Sequence, residues 1–121
     1  MDENQLNPAH AEAVKLSGDQ PTKYRDYREL IAAEKPEICI VATPDHWHPL
    51  CVIEAVNNGA HVYVEKPISH TVNEGKAMVA AARRNGRVVQ VGTHRRVSPH
   101  NLSGMEFLRS SGELGFPWCL S

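Results

Sequence analysis

The chain has no apolar run of membrane-spanning length, and its first residues, Met1-Asp2-Glu3-Asn4, have none of the features of a signal peptide. No membrane partner is expected, and a cytoplasmic location is. An excess of one charge is missing too: 13 Lys and Arg stand against 14 Asp and Glu, a net charge of −1. That balance offers no electrostatic footing for DNA or RNA, so no nucleic-acid partner is expected. Cysteine is scarce. Cys39, Cys51 and Cys119 are odd in number and lack the spacing of a metal knuckle, which favours reduced thiols over disulfides. Internal repeats and low-complexity segments are absent.

What remains is ordinary globular composition, 41% apolar and 22% charged over 121 residues, enough for one domain with a real core. Asn7 and Pro8 read as the start of a first helix that Gly18 stops, with a thin apolar stripe of Ala9, Ala13, Val14 and Leu16. Thr22-Lys23-Tyr24 fits a very short strand. Asp26 caps a second helix in a capping-box pattern with Glu29, burying Tyr27, Leu30 and Ile31 and ending before Pro36. The apolar run from Glu37 to Thr43 lacks alternation, as a parallel strand buried on both faces would. Pro49 opens a helix to Asn58, packed through Leu50, Val52, Ile53 and Val56 and stopped at Asn58-Gly59.

His61-Val62-Tyr63-Val64 is a strand that runs into Glu65-Lys66-Pro67, where proline ends the ladder. Thr71 and Glu74 form a capping box for a helix with Val72, Met78, Val79 and Ala82 as core candidates and Gly86 beyond it. Arg87 to Thr93 is a third strand. The loop His94–Ser98 then leads to a last helix from about Pro99 to Ser110, which Gly112 and Gly115 close before an irregular Gly115-Phe116-Pro117-Trp118. Strand, helix, strand, helix, strand, helix describes successive right-handed βαβ units, so the fold class is α/β with a parallel sheet.

Each of the three strands ends in a polar cluster: Thr43-Pro44-Asp45-His46-Trp47-His48, then Glu65-Lys66-Pro67, then Gly92-Thr93-His94-Arg95-Arg96. The carboxyl edge of a parallel sheet is where ligands bind, and one extended ligand could span all three clusters. Taken singly, each has a plain structural explanation: a solvated Glu65–Lys66 ion pair, helix-start chemistry in the histidine loop, a basic corner at Arg95-Arg96. Their register at successive strand ends favours a shared ligand edge. A metal on His46 and His48 would need a third ligand, the nearest in topology being His94, and no metal is expected. No Ser or Cys stands in a nucleophile elbow, and Cys51 falls on an apolar helix face.

The segments Ala42–His48, Asn58–Pro67 and Gln90–Arg96, in this order and spacing, resemble the glucose–fructose oxidoreductase/inositol dehydrogenase (Gfo/Idh/MocA) family. The Glu-Lys-Pro element is the most specific mark, and Gly112-Glu113-Leu114-Gly115 resembles the segment closing the family's dinucleotide domain. The tryptophan-histidine loop and paired arginines are most similar to a bacterial subgroup of oxidoreductase-like and NAD-dependent glycosidase-like proteins. The resemblance implies a Rossmann fold, NAD or NADP as cofactor, and a sugar, cyclitol or related polyol as substrate. It implies that Thr43, Pro44, Asp45, His46, Trp47 and His48 line the cofactor beside ribose and pyrophosphate. Glu65 and Lys66 would stand at the nicotinamide end, Lys66 being the catalytic group at the hydroxyl under oxidation. Thr93 would border the cofactor, with His94 and Arg96 on the substrate side.

The chain departs from the family in one respect. Its glycines, at 18, 59, 75, 86, 92, 104, 112 and 115, form no G-x-G-x-x-G. Residues 1–121 are therefore expected to be the middle and end of a dinucleotide domain, without the first βαβ unit or the C-terminal substrate domain. The expected function is that of a fragment of an NAD(P)-dependent oxidoreductase, inactive alone. The alternatives are an NAD-dependent glycosidase of the same family and a non-catalytic nucleotide- or partner-binding module. The strand from Ile38, lacking its usual neighbour, is expected to self-associate through an exposed edge.

Overall fold

Helix starts and stops frame the sheet. In the computed structural model, which describes residues 3–111, Asp26 Oδ1 accepts from the Arg28 amide at 2.8 Å and starts α2 (Tyr27–Glu34). Lys35, at φ 44°, ends that helix in the left-handed region, its N–H bonded to the Ile31 carbonyl. Pro49 sits in the first turn of α3 (His48–Asn57). Thr71 and Glu74 close a full capping box on α4 (Val72–Arg84): the Thr71 amide donates to Glu74 Oε2 at 2.8 Å, and the Glu74 amide to Thr71 Oγ1 at 3.3 Å. Gly59, at φ 93°, turns the chain from α3 into the next strand, a conformation that a side chain would strain.

β1 (Ile38–Val41), β2 (His61–Glu65) and β3 (Val89–Gly92) form a parallel three-stranded sheet in the order β1-β2-β3. Ile38 pairs with His61 and Val41 with Val64. α3 packs against β1, β2, α2 and α4. The core so made holds Val52, Val56, Val62 and Val64, each no more than 3% exposed, with Met78 and Ala81 from α4 and Ile31 from α2. The chain forms two compact units, Met1–Val91 and Gly92–Ser121, of which the second contributes the short turn His94–Val97 and α5 (Pro99–Ser111). The Gly112–Gly115 segment, the Gly115–Trp118 stretch and Cys119 lie outside the described residues.

Several expectations change. α1 runs from Glu3 to Ser17, with Pro8 inside it and not at its start. None of its residues is fully buried, which agrees with its thin stripe. Residues 22–24 form no strand; Lys23 Nζ donates to Asn7 Oδ1 at 3.0 Å, and Pro21 O lies 2.9 Å from His10 Nε2, so this segment runs beside α1 through side-chain bonds. β1 is not buried on both faces. Val41 is 6% exposed, yet Ile38 and Ile40, on the opposite face, are 68% and 76% exposed, because among the described residues only the α3 side of this strand is covered. Leu50, Val72 and Val79, expected in the core, point outward.

Two residues on α4 test this division. Met78→Ala should destabilise the fold by about 2–5 kcal/mol in urea unfolding, the cost of emptying a buried site. Val79→Ala, one position on but half exposed, should stay within about 0.5 kcal/mol of the unmutated chain.

Candidate ligand edge

The β1–β2 register decides what stands at the carboxyl edge. With Val41 opposite Val64, the chain leaves β1 at Ala42-Thr43 and β2 at Glu65-Lys66 on the same level. Glu65 and Lys66 are neighbours in sequence, and extended backbone sends successive side chains to opposite sides. They do not pair. Among the described residues neither the Glu65 carboxylate nor the Lys66 ammonium has a hydrogen-bond or ion-pair partner, and Lys66 is exposed. An unpaired ammonium at a strand end is free to meet a ligand oxygen.

After Thr43 the chain makes a tight turn over Asp45–Trp47, the Trp47 amide donating to the Pro44 carbonyl at 2.9 Å. Asp45 Oδ1 accepts from the His46 amide at 2.8 Å and lies 3.0 Å from His70 Nε2. The His46 and His70 rings stand edge to face, 6.3 Å between centroids. Partial burial pushes the Asp45 carboxyl up, but the hydrogen bond and charge of His70, with the His46 amide, outweigh it and hold the group below its ordinary value. Trp47 rests edge-on against Tyr27 at 6.4 Å and keeps 42% of its surface open. His48 differs from its neighbours. It is 1% exposed, with Nδ1 2.7 Å from the Pro67 carbonyl oxygen and Nε2 2.9 Å from that of Thr43. Burial pushes the Cys51 thiol up, against a hydrogen bond with Thr43 that pulls it down; the balance leaves it above its ordinary value, unsuited to nucleophilic work.

Five of the residues singled out from sequence thus lie at one edge of the first unit with surface to offer: Thr43, Asp45, His46, Trp47 and Lys66. Pro44 shapes the turn, Glu65 is half buried, and His48 faces inward. Thr93, His94 and Arg96 belong to the second unit. There the Arg96 amide donates to the Thr93 carbonyl at 2.9 Å, and the residues from Thr93 to Val97 are exposed. His70 was not singled out. Its signal was its place, in the loop leaving the strand next to the Asp45 loop. Among the described residues no three His, Cys, Asp or Glu side chains are arranged to hold a metal, and no helix is long and apolar enough to cross a membrane.

Residues 4–93 match the model of the Gfo/Idh/MocA group, an oxidoreductase family with an NAD-binding Rossmann fold. The chain belongs to that family. Among solved structures it is similar to myo-inositol 2-dehydrogenase from Lactobacillus plantarum: 28% identity, TM-score 0.74, covering 94% of this chain and 32% of the other. It is also similar to the WlbA dehydrogenase of Bordetella pertussis, solved with NADH and UDP-GlcNAcA: 27% identity, TM-score 0.71, covering 90% and 31%. A glycosyl hydrolase family 109 protein of Shewanella putrefaciens is 36% identical over 83 residues, 65% of this chain and 18% of that protein. The chain spans less than a third of the length of the curated relatives it matches. Within this Gfo/Idh/MocA chain Lys66, Thr43 and Trp47 expose an ammonium, a hydroxyl and a flat apolar ring at the candidate edge. For the pyrophosphate the chain offers no glycine-rich turn.

The Asp45 cluster carries a pH signature. A carboxyl whose folded value is depressed adds stability above its unfolded value, and that stability is lost as pH falls through the folded value. The unmutated chain should therefore exceed Asp45→Asn in urea midpoint above about pH 5, with the difference closing as the pH is taken towards about 2. A difference that stays constant over that range would show that the His70 contact does not depend on the carboxylate charge.

Proposed function

We propose that residues 1–121 supply part of a dinucleotide domain, the nicotinamide side of its site, in an NAD(P)-dependent oxidoreductase acting on a sugar, cyclitol or related polyol. The observation that carries this is the unpartnered Lys66 ammonium at the end of β2, level with the Thr43–Trp47 turn at the end of β1. When bound, NAD(P) supplies the hydride acceptor. The protein's own part is positioning and charge. Lys66 donates to the substrate oxygen that becomes a carbonyl, and its charge stabilises the negative charge growing there as the hydroxyl proton passes to solvent water. Thr43 and Asp45 offer polar groups to ribose, and Trp47 a flat apolar wall. Thr93 borders the cofactor, and His94 and Arg96 meet substrate hydroxyls.

The glycosyl hydrolase family 109 relative supports a second reading. In that reading hydride would be withdrawn and returned within one cycle, and the same residues would serve. The two readings separate on a simple point: a dehydrogenase accumulates reduced dinucleotide with its polyol, a glycosidase does not. The open face and edge of β1, with Ile38 and Ile40 exposed, further favour self-association of this chain. Sedimentation at tens of micromolar should show species larger than the monomer, and a clean monomer would show that the edge is protected.

Lys66 decides the main reading. In a full-length enzyme built on this segment, Lys66→Ala should lower turnover about ten- to a thousandfold, about 1.4–4 kcal/mol, with the fold unchanged. Normal turnover in that variant would remove the role assigned to it. The 121-residue chain alone should bind NAD no tighter than about 1 mM in calorimetry and show no dehydrogenase activity, because the pyrophosphate grip lies in a glycine turn it does not contain. Tight binding would locate that grip in the residues described above.

A further inference from the structure

We propose that His48 is a positioning residue: its imidazole staples the loop leaving β1 to the turn leaving β2, and so fixes where Lys66 stands. Three observations meet here. The ring is almost wholly buried, at 1% exposure, so water cannot replace it. Its two nitrogens face two main-chain carbonyls, Pro67 O at 2.7 Å and Thr43 O at 2.9 Å, both within hydrogen-bond range. Those carbonyls belong to the two segments that form the candidate ligand edge, each just beyond the end of its strand. Pro67 follows Lys66 directly, so a fixed Pro67 carbonyl anchors the backbone from which the lysine projects.

A carbonyl oxygen only accepts. A neutral imidazole donates to one of the two carbonyls, and a ring protonated on both nitrogens donates to both. A phenyl ring would fill the same space and donate to neither. That contrast separates stapling from packing. His48 lies at the start of α3, and α3 packs on both strands, so the staple is mounted on the element that also holds the sheet together. The catalytic consequence of the staple rests on the role proposed for Lys66; the staple itself does not.

The test uses the 121-residue chain and nuclear magnetic resonance. In His48→Phe, backbone order parameters should fall from about 0.85 to below about 0.6 over both Thr43–Trp47 and Lys66–His70, while amides of Val52–Val56 and Val62–Val64 keep their exchange protection. Loops that stay rigid, or that loosen only together with those core amides, would overturn the proposal. A measurement on the unmutated chain covers the case in which the variant does not fold. A His48 ring proton should exchange slowly and show coupling across the hydrogen bond to the carbonyl carbon of Pro67 or Thr43, whereas a ring proton exchanging at the solvent rate would overturn the staple. In a full-length enzyme, His48→Phe should lower kcat at least tenfold while KM for the dinucleotide stays within about threefold. The reverse split would make His48 a ligand-contact residue and overturn the positioning role. If Lys66→Ala leaves turnover normal, the functional reading fails, and the order parameters still decide the staple.

Discussion

The pairing of Val41 with Val64 is the constraint on which the rest of the structure depends. Side chains alternate along a strand, so a slip of one residue between β1 and β2 would carry Val62 and Val64 out of the core and bring His61, Tyr63 and Glu65 in. It would also move Lys66 off the level of the Thr43–Trp47 turn. Burial of Val62, Val64, Val52 and Val56 therefore sets a register whose visible product is polar. The core chooses which polar groups share an edge. They in turn require little of the core.

The same alternation explains the behaviour of the Glu-Lys-Pro element. Adjacent opposite charges invite the reading of an ion pair, yet extended geometry keeps Glu65 and Lys66 apart, and proline after them prevents the strand from continuing. An ammonium without a carboxylate partner leaves its donors open to whatever approaches. Asp45 shows the contrary case one strand away. Its carboxylate is engaged by His70 and by the His46 amide, so it serves the shape of the turn before it serves a ligand.

Much of this was legible from the residues because the signals were local. The Thr71–Glu74 capping box, the Gly59 turn and the end of β2 before Pro67 each lie within a few positions and stand in the structure as read. Asp26 caps α2 through the Arg28 amide, without the reciprocal Glu29 bond of a box. What was not legible depended on partners distant in the chain. Whether Ile38 and Ile40 are covered depends on what lies against the far side of β1, and an apolar run of four residues does not say. Pro8 looked like a helix start because that is its usual place, yet among the described residues the helix is already formed at Glu3, five residues earlier. The two histidines of the Asp45–His48 loop look alike in sequence, but one is exposed and the other sealed. His70, from the loop after β2, joined the cluster through space.

That difference between His46 and His48 bears on how a short loop is made stiff enough for chemistry. Exposed turns held only by their own backbone bonds are mobile, and a catalytic lysine on such a turn would lose rate to every misplaced conformation. A buried apolar anchor would fix the loop's distance from the core but not its orientation, and would leave the Thr43 and Pro67 carbonyls without partners. A buried polar anchor that bonds two loops at once fixes both, because hydrogen bonds are directional and an unmade one inside the protein is costly. His48 meets this description by position and by burial, with one ring nitrogen facing each carbonyl; a neutral ring bonds one of them, and that bond alone ties α3 to a strand-end loop. The candidate ligand edge is then held from behind, by a side chain that exposes almost no surface of its own.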